Sequence, residues 1–221
     1  MVDGRPLEFR AGPPQSKTAY VVERLREEIA TGVVIPGSAL RQTEIAERYG
    51  VSPTPVREAL RILEAAGTIR YAPNRGATVR EMAPDDANDL YDLRAEVEAF
   101  ATRLAVERLD ETLVPRLEQL AKQLETCDPA TDQAAMYKLN RELHFAIFEA
   151  GSRVVSQQVS SVWEAFPPSV TVWGVAEIAE RLNEDHRGII EAIRGGDAEL
   201  AQVAMRTHVL HARELRRQHL G

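Results

Sequence analysis

Apolar residues in the first eighty positions come in short runs separated by turn-forming residues. After a polar, proline-containing stretch over 1–16, read as a flexible lead, Tyr20, Val21, Leu25 and Ile29 recur at helical spacing and the run stops at Thr31-Gly32. Val34-Ile35-Pro36-Gly37 then predicts a turn, because proline fixes its own φ and the glycine after it accepts left-handed angles. A short helix is expected from Thr43, as N-cap, with Glu44 and Glu47 in its first turn, ending at Tyr49-Gly50. Val51-Ser52-Pro53-Thr54-Pro55 makes a second turn that opens a third helix through Arg57, Leu60 and Leu63 to Gly67. Thr68 to Tyr71 and Thr78 to Arg80 read as two short strands around Pro73-Asn74-Arg75-Gly76, a hairpin.

From Pro84 onward the pattern is helical. Leu90, Leu93, Val97, Phe100 and Leu104 fall on one stripe. Further amphipathic segments span roughly 113–127, 132–150, 152–165, 176–194 and 197–219, with breaks at Pro129, Gly151, Pro167-Pro168 and Gly195-Gly196. The expected fold is mainly α: a winged helix-turn-helix of three helices plus a β-hairpin wing over 17–82, then a six-helix antiparallel bundle over 83–221.

Composition narrows the classes. A chain of 221 residues, 44% hydrophobic and 28% charged, can bury proper cores and is no disordered tail. The single cysteine, Cys127, excludes an internal disulfide and the paired thiolates of a zinc finger. The longest uncharged stretches, Ile29–Leu40 and Ala165–Ala176, are 12 residues each, short of the roughly 18–20 that a membrane span needs. The first residues mix Asp3, Arg5, Glu8 and Arg10 without an apolar core, unlike a secretory signal, so a cytoplasmic protein is expected. The net charge of -7 hides an asymmetry: residues 1–82 hold 12 Lys/Arg against 10 Asp/Glu, and the remainder 15 against 24. A first part at +2 can approach phosphates despite a second part at -9, because charges more than about 10 Å away are largely screened.

Ile35-Pro36-Gly37, Leu40, Glu44 to Ser52, Thr54-Pro55-Val56-Arg57-Glu58-Ala59-Leu60 and Pro73-Asn74-Arg75-Gly76 together strongly resemble the GntR family of bacterial transcription regulators. The resemblance implies phosphate and base contacts from Ser52, Thr54, Pro55 and Arg57. A guanidinium can donate two parallel bonds to guanine O6 and N7, so Arg57 is the expected base reader, while the two hydroxyls suit phosphates. Gly76 permits close approach of the wing backbone to DNA, Arg75 is the groove or phosphate probe, and Arg41 and Thr43 could add backbone contacts. The plainer alternatives are that Thr43 and Ser52 cap helices and that Arg57 and Arg75 are solvated. The family usually carries an arginine where this chain has Pro53, which predicts a missing contact and a shifted operator preference.

All five histidines lie in the C-terminal half. Asn140 and His144 are four apart and so share a helix face, onto which His186 and His208 could converge from two other helices. This half resembles the FCD ligand-binding domain of the FadR subgroup, whose metal-binding members use an Asp-x-x-x-His pair plus two later histidines. His144, His186 and His208 match those positions, and Asn140 stands where that pattern has aspartate. An amide oxygen can coordinate but brings no charge, which lowers the expected affinity. The resemblance thus implies a divalent transition metal, zinc first, with nickel, manganese and iron as alternatives. His211 and His219 match nothing and read as solvated. Arg94 sits at a recurrent arginine of the subgroup and could hold an effector carboxylate, the alternative being an ion pair with Glu98 at i+4. Trp163 and Trp173 could line a pocket or be simply core.

The implied function is a ligand-responsive transcription regulator, a repressor, that binds a two-fold operator as a homodimer and takes a small organic acid in the bundle. Two other classes compete. In a pure metal sensor the ion itself is the effector. A bundle metalloenzyme is disfavoured, since no HExxH occurs and no histidine has a glutamate three positions before it.

Overall fold

The computed structural model describes residues 16–30, 32–72, 76–81, 83–165 and 173–220, and among these are nine helices and one two-stranded sheet. The first three helices are α1 (Lys17–Ala30), α2 (Gln42–Arg48) and α3 (Pro53–Ala65), followed by β1 (Ile69–Ala72) and β2 (Gly76–Val79). Val21, Val22, Leu25 and Ile29 of α1 pack with Ile45, Val56, Leu60, Leu63, Ile69 and Val79 into one apolar core. Tyr20, expected in that stripe, is 40% exposed, and Val22 takes its place. α2 begins two residues earlier than its sequence suggests. The Arg41 carbonyl accepts the first helical bond from Ile45, so Arg41 holds the N-cap position and Thr43 lies inside the first turn.

The strands pair antiparallel with Ile69 opposite Val79 and Ala72 opposite Gly76. Both are shifted toward the turn relative to the expected 68–71 and 78–80, because Gly76, at φ 70°, supplies the left-handed residue that lets pairing continue to the tip. A third extended piece was not expected: Ala39 bridges Thr78, and Leu40 N–H donates to the Ala77 carbonyl at 2.8 Å. The Ile35-Pro36-Gly37 turn therefore feeds a short edge onto the wing.

Six helices follow: α4 (Pro84–Glu107), α5 (Leu113–Glu125), α6 (Gln133–Gly151), α7 (Arg153–Ala165), α8 (Ala176–Arg194) and α9 (Ala198–Leu220). Their bounds match the breaks read from Pro129, Gly151 and Gly195-Gly196; Pro167-Pro168 lies outside the described residues. Ion pairs mark two pairs of antiparallel neighbours. Asp92 and Glu96 of α4 meet Arg213 and Arg206 of α9, and Glu118 and Glu125 of α5 meet Arg194 and Arg187 of α8. Such exposed pairs add little stability, but they record the direction and register of the helices.

α4 departs most from its sequence pattern. Its buried face is Ala87, Tyr91, Ala95, Glu98, Ala99, Thr102 and Ala105, whereas Leu93 and Phe100 of the apolar stripe are 47% and 40% exposed. An apolar stripe ordinarily marks the core face. Where α4 meets the end of α6 its contact residues are small, Ala101 and Ala105, because neighbouring backbone comes close there. At Gly151, the end of α6, an added Cβ would lie 2.7 Å from the Ala101 carbonyl oxygen and 2.8 Å from Ala105 N. The Gly151 carbonyl also accepts a bond from Arg108 Nη1.

Gly151→Ala tests this close approach. Glycine to alanine within a helix ordinarily stabilises by about 1 kcal/mol, but here the methyl must push two backbones apart, and overpacking costs about 1–3 kcal/mol. We expect a lower urea midpoint. A midpoint equal to or above the parent's would show that α4 and α6 do not touch there.

Candidate nucleic-acid interface and buried histidine site

α3 buries Val56, Ala59, Leu60 and Leu63 and turns its other face outward. Pro53 and Pro55 stand in the first turn, where missing N–H groups cost nothing. Ser52 holds the N-cap position but makes no side-chain capping bond. Thr43 is off the cap position, so neither hydroxyl caps a helix as the plainer reading had it. Arg41, Thr43, Ser52, Thr54, Arg57 and Gly76 are exposed, and Pro55 is half-buried. Arg57 Nε lies 3.5 Å from Glu58 Oε1, an oxygen that Arg61 also approaches at 3.3 Å. These are loose exposed contacts that a stronger anion can replace. Arg75 lies outside the described residues.

In the bundle, α6 brings Asn140 and His144, α8 brings His186, and α9 brings His208, all buried. His144 Nε2 is 3.3 Å from His186 Nε2 and 3.2 Å from His208 Nε2. Nitrogens bound to one metal at about 2.0–2.1 Å and near-tetrahedral angles stand about 3.3–3.4 Å apart, so the spacing suits a single ion. The Asn140 Oδ1 atom is buried and has no hydrogen-bond partner among the described residues, a costly state for an amide oxygen unless something else engages it. The donor set of three imidazoles and one amide oxygen fits a borderline transition metal such as zinc.

Two carboxylates stand behind the imidazoles, and sequence reasoning assigned neither a part in the site. Glu98, fully buried on α4, accepts from His144 Nδ1 at 3.1 Å, from Arg94 Nε at 2.7 Å and from Trp163 Nε1 at 2.8 Å. Burial alone would raise its pKa, but the Arg94 charge and the His144 hydrogen bond outweigh burial and hold the carboxyl at about 2. An ionised carboxylate has no proton to give, so His144 Nδ1 carries the hydrogen and Nε2 is left as a lone pair facing His186 and His208. Asp185, half-buried on α8, lies 2.9 Å from His211 Nδ1 and 3.6 Å from His208 Nδ1. Burial opposes its charge, but the contacts with His208 and His211 prevail and its pKa falls. His211 is thus a partner of Asp185 and not simply solvated; the side chain of His219 lies outside the described residues.

The ion pair of Arg94 with Glu98 is present, and Arg94 also lies over the Trp163 ring at 4.5 Å. It lines a cavity of about 410 Å³ together with Tyr91, Asn140, Trp163, Trp173 and His208. Both tryptophans therefore touch the site: the Trp163 ring centroid is 5.3 Å from that of His144, and Trp173 stacks on His186. Their placement on either side of the proline-broken segment was the one sequence signal for this wall. No helix among the described residues is long and apolar enough to cross a membrane.

Comparison with known proteins gives a consistent picture. Residues 17–79 match the model for bacterial regulatory proteins of the gntR family, and residues 89–211 match the FCD domain. The chain is 32% identical over 189 residues to a probable D-xylose utilization operon transcriptional repressor of Paenarthrobacter nicotinovorans, covering 82% of this chain and 80% of the relative. It is 27% identical over 189 residues to the transcriptional regulator McbR of Escherichia coli, covering 83% and 85%. The solved structure of Escherichia coli McbR/YncC superposes with a TM-score of 0.82 at 24% identity, over 93% of this chain and 99% of that one. At that identity the structural likeness is one of fold.

Burial of the imidazoles has a pH consequence. It lowers the His144 pKa from 6.5 to about 4 despite the Glu98 carboxylate, and it lowers that of His186 as well. The unfolded chain takes up these protons near the ordinary value and the folded chain only well below it, so stability is full above about pH 6.5 and is lost as pH falls toward 4. In chelator-treated protein, urea titrations at pH 7.5 and 5 should differ by about 2 kcal/mol from His144 alone, and His144→Gln should shrink the difference. An unchanged difference in the variant would refute this.

Proposed function

Since the chain belongs to the gntR family of bacterial transcription regulators and carries an FCD domain, we propose that it is a cytoplasmic homodimeric repressor whose operator affinity is set by a small organic acid bound beside a metal ion in the bundle. The family consists of transcription regulators, not enzymes. The observation that carries the effector half of this reading is the convergence of three buried imidazoles and an unsatisfied amide oxygen at the edge of the cavity. Asn140, His144, His186 and His208 would hold the ion, zinc first among candidates. A bound ion supplies Lewis acidity that anchors a ligand oxygen.

The chain's own residues do the rest. Glu98 orients His144, the Asp185 charge stands behind His208, and Trp163 and Trp173 exclude water from one wall. Arg94, lining the same cavity, offers the effector carboxylate a guanidinium. A cavity of about 410 Å³ beside the histidines favours an organic effector over the ion acting alone. The effector must bind the two reader placements with different affinity, because equal affinity would shift no population.

Two-fold pairing accounts for the outward stripe of α4. Leu93 and Phe100 on α4 and Leu200 and Val203 on the adjoining α9 are each at least 40% exposed, an apolar surface that a second copy would cover. On DNA, Arg57 would read a base, Ser52, Thr54, Arg41 and Thr43 would meet phosphates, Pro55 would pack at the groove, and Gly76 and Arg75 would bring in the wing.

Selection of bound duplexes from a random pool should return a two-fold repeat; a lone half-site would overturn the dimer. On the selected duplex, Arg57→Ala should lose about 1–3 kcal/mol of discrimination with unchanged thermal unfolding. Retained operator affinity would remove Arg57 as the reader.

Elemental analysis of the purified protein should find about one equivalent of transition metal per chain, and His144→Ala should lose most of it. Equal metal content in both proteins would remove the metal site.

A further inference from the structure

In the last turn of α7 stand two consecutive residues whose bonds run to different parts of the molecule. Trp163 donates its indole N–H to Glu98 at 2.8 Å, the carboxylate that also receives His144 and Arg94. Glu164 instead meets the DNA-reading half. Its carboxylate pairs with Arg26 of α1 at 3.0 Å, and its backbone carbonyl accepts a bond from Thr68 Oγ1, at the foot of the wing, at 3.1 Å. Arg26, Thr68 and Glu164 line the same cavity as Arg94, Asn140 and His208. The cavity therefore has one wall in the reader and another at the histidines, and the Trp163-Glu164 pair is tied to both.

We propose that Trp163 and Glu164 form a pin through which the state of the histidine site and cavity is transmitted to the placement of the reader. The inference rests on the effector and metal reading above for what occupies the site, but the pin itself is made only of residues of this chain. Adjacent residues of one helix turn cannot move independently. A change in how firmly Glu98 holds the Trp163 indole displaces the Glu164 backbone carbonyl and carboxylate together. The two ties at the reader end, one ionic and one a hydrogen bond, are individually weak and partly solvated, so small displacements suffice to open them. Linkage then runs both ways: whatever orders the site favours the pinned reader, and whatever releases the reader changes affinity at the site.

Hydrogen exchange on the full-length chain tests this, read at the amides of residues 23–30 and 68–70, with α5 and α8 as internal reference. Without metal, Glu164→Gln and Thr68→Val should each speed exchange in those reader segments about two- to fivefold. Trp163→Phe, which alters neither of the two ties to the reader, should do the same, and adding it to Glu164→Gln should add little. Reader exchange left at the parent rate by Trp163→Phe while the reference stays unchanged would overturn the pin. Should that variant loosen α5 and α8 as well, the zinc arm decides. Zinc ion alone, added to the parent, should slow exchange at 23–30, and this slowing should be lost in Glu164→Gln although zinc affinity by calorimetry stays within about twofold. Zinc that binds and protects α6 and α8 but not α1 would overturn the pin and leave the metal site standing. Absence of zinc uptake would remove the metal reading instead, and the metal-free Glu164→Gln and Thr68→Val variants would then decide the pin, unchanged reader exchange in both overturning it.

Discussion

A buried carboxylate organises this molecule. Glu98 has no solvent contact, and an ionised carboxylate in an apolar interior is tolerated only when its lone pairs are satisfied and its charge is balanced. Arg94 supplies the charge from one turn earlier on α4, while His144 and Trp163 supply hydrogen bonds from α6 and α7. Meeting those demands fixes three helices relative to one another and, as a by-product, fixes which His144 nitrogen carries the hydrogen. Replacing the acid with an apolar residue would remove the cost of burial, but it would also release the tautomer that turns the Nε2 lone pair toward the other histidines.

The same demand explains the two faces of α4. Bringing donors from α6 and α7 to Glu98 sets α6 close against α4, and at Ala101 and Ala105 the approach is so tight that only glycine fits at 151. The larger apolar side chains are displaced to the opposite side, where Leu93 and Phe100 remain exposed in the single chain. Close packing on one face and an uncovered apolar stripe on the other are thus two results of one constraint, and the second leaves a monomer with surface it gains by covering.

How far this was legible in the sequence differs by element. Helix limits in the second half were readable because glycine and proline interrupt a 3.6-residue period, and the limits so read agree with the structure within about two residues. The inward face of α4 was not, since apolarity is a good guide to burial only when the partner leaves room for bulk, and Gly151 lies about fifty residues away in the chain. His144, His186 and His208 were recognisable as a group by their positions, and the structure brings them together. Glu98 stayed hidden for the reason that makes it effective. Its i+4 relation to Arg94 looks like any solvated helix pair, and nothing local reveals that Trp163 and His144 arrive from elsewhere. The N-cap was misplaced by two residues, at Thr43 instead of Arg41, because good N-cap chemistry also suits a first-turn residue facing outward.

The reader's modest charge carries a final implication. α3 exposes Arg57 and Arg61, but Glu58 lies between them and takes a loose contact from each. On approach to DNA the phosphates must compete with that carboxylate, so the reader gains less than two unopposed arginines would give. In the proposed dimer, weak half-sites would make affinity depend steeply on engaging two of them together, because the second contact is made at a high effective concentration only if the spacing is right. A regulator built this way needs no device that blocks its DNA-contacting residues. A change in where α1 and the wing sit against α7 is enough, and among the described residues the ties between them include a partly solvated ion pair and a single hydroxyl bond.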